Sequence, residues 1–232
     1  MKSFAYVLLI GISAIISCTD SPGTYYPRYS TFPNEKAISA RVIELDTALF
    51  RYPFRVAVKD SIAIEMDLHN ADNYFHAFTY PNWKHIVSFG KRCEGPEEML
   101  SAETFQFNSL DSIYTLDANK MQISRWAISA KDHSATRQEV IRLDKNLIRS
   151  LDFCATDSCF LIPDYLGEHR YWQVNYNGKP IRSIGKIPTE KDLASEIRPA
   201  LAQAWRSFID YNPHNGILAM VTQLGESIEI YN

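Results

Sequence analysis

The sequence has no strongly basic stretch. Its formal charge is -3, with both signs interspersed, so nucleic acid is a poor partner. Glycine is sparse, nine residues spread along the chain. No Gly-rich phosphate loop and no Gly-x-Ser-x-Gly elbow occurs. The histidines are His69, His76, His85, His133, His169 and His214. None stands in a His-Glu-x-x-His pair or a Cys/His zinc spacing. The familiar sequence signatures of phosphate binding, serine hydrolysis and zinc catalysis are therefore missing, and no cofactor or metal is expected. After the amino-terminal run, no segment is apolar enough to span a membrane as a helix.

That first run is informative. Lys2 is the only charge ahead of an apolar stretch from Phe4 to Ile16. It is shorter than the roughly 20 residues of a spanning helix and has the length of a signal-peptide core. It ends Ile15-Ile16-Ser17-Cys18, which resembles the bacterial lipobox. An aliphatic residue stands three places before the cysteine and a small residue just before it. The alternatives are a plain secretory signal or a buried apolar helix, but the run and a correctly placed cysteine coincide. Residues 1–17 are expected to be a signal peptide, with Cys18 lipidated and anchored in a membrane. Each buried CH₂ of the acyl chains adds about 0.8 kcal/mol. Residues 18–37, rich in Ser, Pro, Thr and Tyr, make a tether. Thr19 follows the cysteine where an inner-membrane retention signal has Asp. The expected location is the outer membrane.

Three cysteines remain, Cys93, Cys154 and Cys159, an odd count for an oxidising compartment. Cys154 and Cys159 flank Ala155-Thr156-Asp157-Ser158, a turn composition between two apolar strands. A hairpin with a four-residue loop sets the thiols opposite each other, at a separation within disulfide range. The alternative is two reduced strand cysteines. Cys93 is left as a free surface thiol.

The rest of the chain repeats. Asp60-Ser61-Ile62 is followed by Asp111-Ser112-Ile113, Asp157-Ser158-Cys159 and Asn215-Gly216-Ile217, at steps of 51, 46 and 58 residues. A strand precedes each turn (Phe54 to Val58, Phe105 to Phe107, Leu151 to Cys154, Phe208 to Tyr211), and an apolar strand follows. A second strand-turn-strand unit recurs farther on, at Phe78 to Gly90, Trp172 to Gly185 and Val140 to Leu151. Four short antiparallel strands per unit predict an all-β fold, a β-propeller of four-stranded blades over residues 38–232. A β-sandwich is the alternative. Pro188 to Phe208 breaks the pattern. Leu193, Ile197, Leu201, Trp205 and Phe208 have helical spacing and predict one short inserted helix, confined or kinked by Pro199.

Gln203 to Gly216 and Gly225 to Asn232 resemble segments of the TolB-like six-bladed β-propeller lipoproteins of outer-membrane-bearing bacteria. Phe89-Gly90-Lys91-Arg92-Cys93-Glu94-Gly95-Pro96-Glu97-Glu98 is similar to their Phe-Gly-x-x-Gly-x-Gly-Pro-x-Glu connection, with Cys93 where glycine is usual. The resemblance implies a six-bladed ring and no assigned reaction. About three and a half blades are expected here, with Ile228 to Asn232 as the third strand of the last. Ala40 to Leu45 is the candidate for an early strand that closes a ring. The expectation is a truncated product, an incomplete sequence or an open arc that self-associates through unpaired blade edges.

Two clusters are candidates for a ligand face. Asp67, His69, Asn70 and Asp72 form a polar loop suited to a cation, or a turn whose side chains bond its own backbone. His169 and Arg170, beside Tyr171 and Trp172, suit a peptide or carbohydrate groove, or simply cross-strand packing. With no catalytic signature, the expected function is binding or scaffolding of an unknown protein, peptide or carbohydrate. The alternatives are a metal-dependent, lactonase-like propeller enzyme and a non-functional remnant.

Overall fold

The computed structural model describes residues 34–45, 50–188, 196–224 and 227–231. The signal segment and Cys18 lie outside the described residues. No helix among the described residues is long and apolar enough to cross a membrane.

Blade 1 is an antiparallel sheet of β1 (Pro53–Lys59), β2 (Ile62–Asp67), β3 (Asn73–Thr79) and β4 (His85–Lys91), paired in chain order. Blade 2 repeats this with β5 (Ala102–Ser109), β6 (Ser112–Asp117), β7 (Gln122–Ser129) and β8 (Ser134–Arg142). Blade 3 has β9 (Cys154–Ala155), β10 (Phe160–Pro163), β11 (His169–Val174) and β12 (Pro180–Lys186). A short helix α1 (Arg198–Ala204) precedes blade 4, whose strands are β13 (Ser207–Asn212), β14 (Ile217–Thr222) and β15 (Ile228–Tyr231). The propeller arrangement predicted from the repeat is the one observed.

The second strand of each blade explains the stacking. Ile113 of β6 joins Ile64, Phe75, Phe89 and Phe105 in a core between blades 1 and 2. Its neighbour Tyr114 points the other way, into a core with Phe153, Phe160 and Ile162 between blades 2 and 3. Leu161 then faces Tyr171, Leu218 and Met220 between blades 3 and 4. Successive strand residues alternate faces, so a strand held between two blades is apolar on both. Each large side chain buried this way contributes about 1.5–3 kcal/mol.

The first strands line up along the centre. β1 packs on β5, and β9 packs on β13, while Gln106 of β5 hydrogen-bonds the backbone of Ala155 in β9. The outward faces of the end blades carry exposed apolar side chains. These are Phe54, Val56 and Val58 on β1, and Phe208, Val221, Ile228 and Ile230 on blade 4.

Three expectations are corrected. Val140 to Leu151 is not a strand-turn-strand unit: β8 ends at Arg142. Beyond it Asp144 gathers the chain into a turn, accepting Asn146 N–H at 3.0 Å through Oδ1 and Leu147 N–H at 2.9 Å through its carbonyl. The outer hairpin of blade 2 is β7–β8 instead. Ala40 to Leu45 forms no strand. The helix is confined to Arg198–Ala204, with Pro199 in its first turn, where a missing N–H is harmless. Phe208 stands on β13, and Leu193 lies outside the described residues.

Candidate functional site

Asp67 is fully buried at the end of β2. Its carboxylate accepts Arg51 N–H at 2.6 Å, Tyr52 N–H at 2.9 Å and His69 N–H at 3.0 Å. Asn70 Oδ1 accepts Asp72 N–H at 3.0 Å and Asn73 N–H at 3.1 Å. His69 sets its ring edge-on to Tyr52. The cluster thus spends its oxygens on backbone amides, those of its own turn and those of the Arg51–Tyr52 segment. The same device recurs at the end of the second strand in each blade. Asp117 accepts Leu100 and Lys120 N–H. Asp164 accepts Leu166, Glu168 and His169 N–H. In blade 4 Thr222 does this work for Ser227.

Arg170 is also buried. It pairs with Glu229 at 3.1 Å and donates to Trp205 O and Ser207 Oγ, both at 2.8 Å. Its guanidinium lies over the rings of Tyr171 and Trp205. It ties blade 3 to blade 4. His169 sets its ring edge-on to Trp172. The two candidate clusters sit on blades 1 and 3, with blade 2 between them, and do not form one site.

Cys154 and Cys159 are buried free thiols. The hairpin pairs Cys154 with Leu161 and Ala155 with Phe160, so the expected opposite placement does not occur. Thr156 bonds Cys159 instead, its N–H donating to the Cys159 carbonyl at 2.9 Å. A tighter turn than four residues moves the thiols to diagonal positions on one face. Burial, with the charges of Asp210 and Asp152 nearby, pushes the Cys154 thiol up to about 12, which keeps it protonated and unreactive. Cys93 is exposed.

The four central strands line an open cavity of about 520 Å³. Arg55, Ala57 and Lys59 come from β1, Phe105 to Asn108 from β5, Phe153 to Asp157 from β9 and its turn, and Ile209 to Tyr211 from β13. Arg55 donates to Thr104 Oγ1 and lies 4.0 Å from the buried Asp152. Burial pushes the Asp152 carboxyl up, against the pull of Arg55. Lys59 donates to the Asn108 carbonyl. No group of three or more metal-ligating side chains gathers among the described residues. None of these residues is expected from sequence to line a cavity; Asp157 stands there as a repeat marker and Cys154 as a possible disulfide partner. The available signal was their position: polar residues on the first strand of successive repeats.

A larger hollow of about 890 Å³ wraps the outer edge of β8. Most of its charges are matched locally, Arg137 with Glu97, and Lys179 with Asp144 at 3.1 Å. It is less suited to a ligand than the axial cavity.

A polar row also crosses the outward face of blade 1. Glu65 of β2 stands opposite His76 of β3, and His76 opposite Ser88 of β4. Ser88 Oγ lies 2.8 Å from His76 Nδ1 and 2.9 Å from His85 Nε2. Glu65 is buried, and its carboxyl oxygens have no hydrogen-bond partner among the described residues. Burial, with the Asp67 charge nearby, raises it to about 8. Burial lowers His76 and His85.

The family model of TolB-like 6-blade propeller-like proteins matches residues 31–232, so the chain belongs to that family. A solved Bacteroides fragilis protein, thought to be exported, is similar in fold with a TM-score of 0.53 at 12% identity. The match covers 82% of this chain and 51% of that one, so this chain spans about half its length. No curated protein matches the sequence.

Proposed function

We propose that this member of the TolB-like propeller family is an exported lipoprotein, held to the outer membrane through Cys18. Its axial cavity binds a small polar ligand. The carrying observation is the cavity itself, lined by the first strands of four successive blades. Pockets of this volume suit small molecules. The lipobox-like Ile15-Ile16-Ser17-Cys18 supports the anchor, and the exported assignment of the structural neighbour accords with it.

Two measurements test this. Cys18→Ala abolishes acyl labelling and membrane fractionation; retained labelling refutes the anchor. Asp157 is exposed on a turn at the cavity wall, so Asp157→Trp obstructs the cavity without disturbing the core. Ligands found by thermal shift against the lipidated chain lose their effect in this variant. An unchanged response excludes the axial site.

A further inference from the structure

We infer that the axial cavity selects a small zwitterion, a free amino acid or a dipeptide. The inference rests on the cavity assignment proposed above. Its basis is the segregation of charge. Lys59 stands on β1, at the cavity side formed by blade 1. Asp157 and Asp210 stand on the β9 turn and β13, at the side formed by blades 3 and 4. Arg55 and Asp152 offset each other at the wall. Among the described residues, Lys59 hydrogen-bonds only the neutral Asn108 carbonyl, and Asp210 only the Tyr211 N–H at 3.0 Å. None of Lys59, Asp157 and Asp210 has an ion-pair partner among the described residues.

Unmatched charges of opposite sign thus face one cavity. A monoanion that reaches Lys59 gains nothing from the two aspartates, and a monocation gains nothing from Lys59. A ligand carrying both a carboxylate and an ammonium satisfies both sides with charge-assisted hydrogen bonds. Between them, the half-buried Phe107 and Tyr211 offer apolar and aromatic surface for a side chain.

The test is calorimetric titration of the lipidated chain in detergent. The probes are phenylalanine, alanyl-phenylalanine, and the N-acetylated and C-amidated forms of the dipeptide. At least one free zwitterion binds, and each blocked form of the dipeptide binds roughly tenfold more weakly or worse, as expected for losing a hydrogen bond to a charged group. Lys59→Met erases the discrimination against the amide, and Asp210→Asn erases most of that against the acetylated form. Equal binding of free and blocked forms overturns the inference. So does a non-zwitterionic ligand that Asp157→Trp excludes, although the cavity assignment then stands. If no probe or screened ligand responds to Asp157→Trp, both fall.

Discussion

Gln106 completes a strand pair with its side chain. Its Nε2 donates to the Ala155 carbonyl at 3.0 Å, and its Oε1 accepts the Ala155 N–H at 2.6 Å. β9 is only two residues long and pairs with β10 on one side. On the other side the amide of Gln106 substitutes for a backbone ladder and joins blade 2 to blade 3.

Gln106→Leu keeps the volume and removes both bonds. Ala155 is buried, so its polar groups are left unsatisfied. The expected loss is about 1–3 kcal/mol, read from the urea midpoint. An unshifted midpoint would show that water replaces the amide at no cost.

Asp67 organises three backbone amides from two segments. Asp67→Ala is expected to cost about 2 kcal/mol or more, since bonds to a charged group contribute roughly 1.5–3 kcal/mol each and are not additive. Burial works to raise the Asp67 carboxyl, but those amides outweigh it and hold it below its ordinary value. A depressed carboxylate stabilises the fold above its unfolded pKa, and that stability is lost as pH falls through the folded value. Denaturation curves near pH 3 and pH 6 check this: the gap between wild type and Asp67→Ala narrows at the acid end.

The blade repeat was legible because each blade begins with the same local chemistry, a first strand, an Asp or Asn turn and an apolar second strand. Asp60 occupies the left-handed region at φ 53 in the first of these turns, which Asp tolerates. The β7–β8 hairpin was less legible. Its turn holds His133 at φ 49, with no Asn-Gly or Asp-Gly signal. The Asp144-Lys145-Asn146 stretch next to it mimicked a hairpin turn. Asp67 was singled out for its chemistry, yet its buried role depends on Arg51 and Tyr52, which no local spacing reveals. The cavity joins Lys59 to Asp210 across most of the chain, a juxtaposition that only the ring of first strands creates.

Gly178 and Gly216 separate two kinds of glycine. Both have positive φ, 78 and 72. A Cβ at Gly178 would stand 2.0 Å from the Arg142 carbonyl oxygen, whereas one at Gly216 meets nothing within 4 Å. Gly216→Ala should cost only the left-handed strain, about 1–2 kcal/mol. Gly178→Ala adds a backbone clash and should cost clearly more, parting the β11–β12 turn from the Arg142–Leu143 segment. Thermal melts of the two variants decide the order, and equal losses would contradict it.

The exposed faces of blades 1 and 4 predict association between copies of this chain. Val56 and Ile228 are 56% and 69% exposed, in positions that blades inside the arc bury against a neighbour. Contiguous apolar surface of this kind drives association. Sedimentation velocity of the chain should show concentration-dependent species. Val56→Lys combined with Ile228→Lys should shift them toward monomer. Persistence of the larger species in the double variant would assign association to some other surface.

Glu65 gives the fold a pH dependence of the opposite sign to Asp67. Its carboxyl is raised from 4.5 to about 8, so between these values the folded state holds a proton that the unfolded state has released. Stability from this group is complete below about pH 4.5 and falls as pH rises through about 8, at up to about 1.4 kcal/mol per pH unit. Lowered His76 and His85 act oppositely, favouring the fold as pH rises toward their unfolded values. Glu65→Gln isolates the carboxyl, because Gln stays neutral throughout. The difference in unfolding free energy between the variant and wild type should therefore grow in favour of Gln from pH 5 to pH 8. A constant difference over that range would mean that the Glu65 carboxyl is ionised in the folded state as it is in the unfolded one.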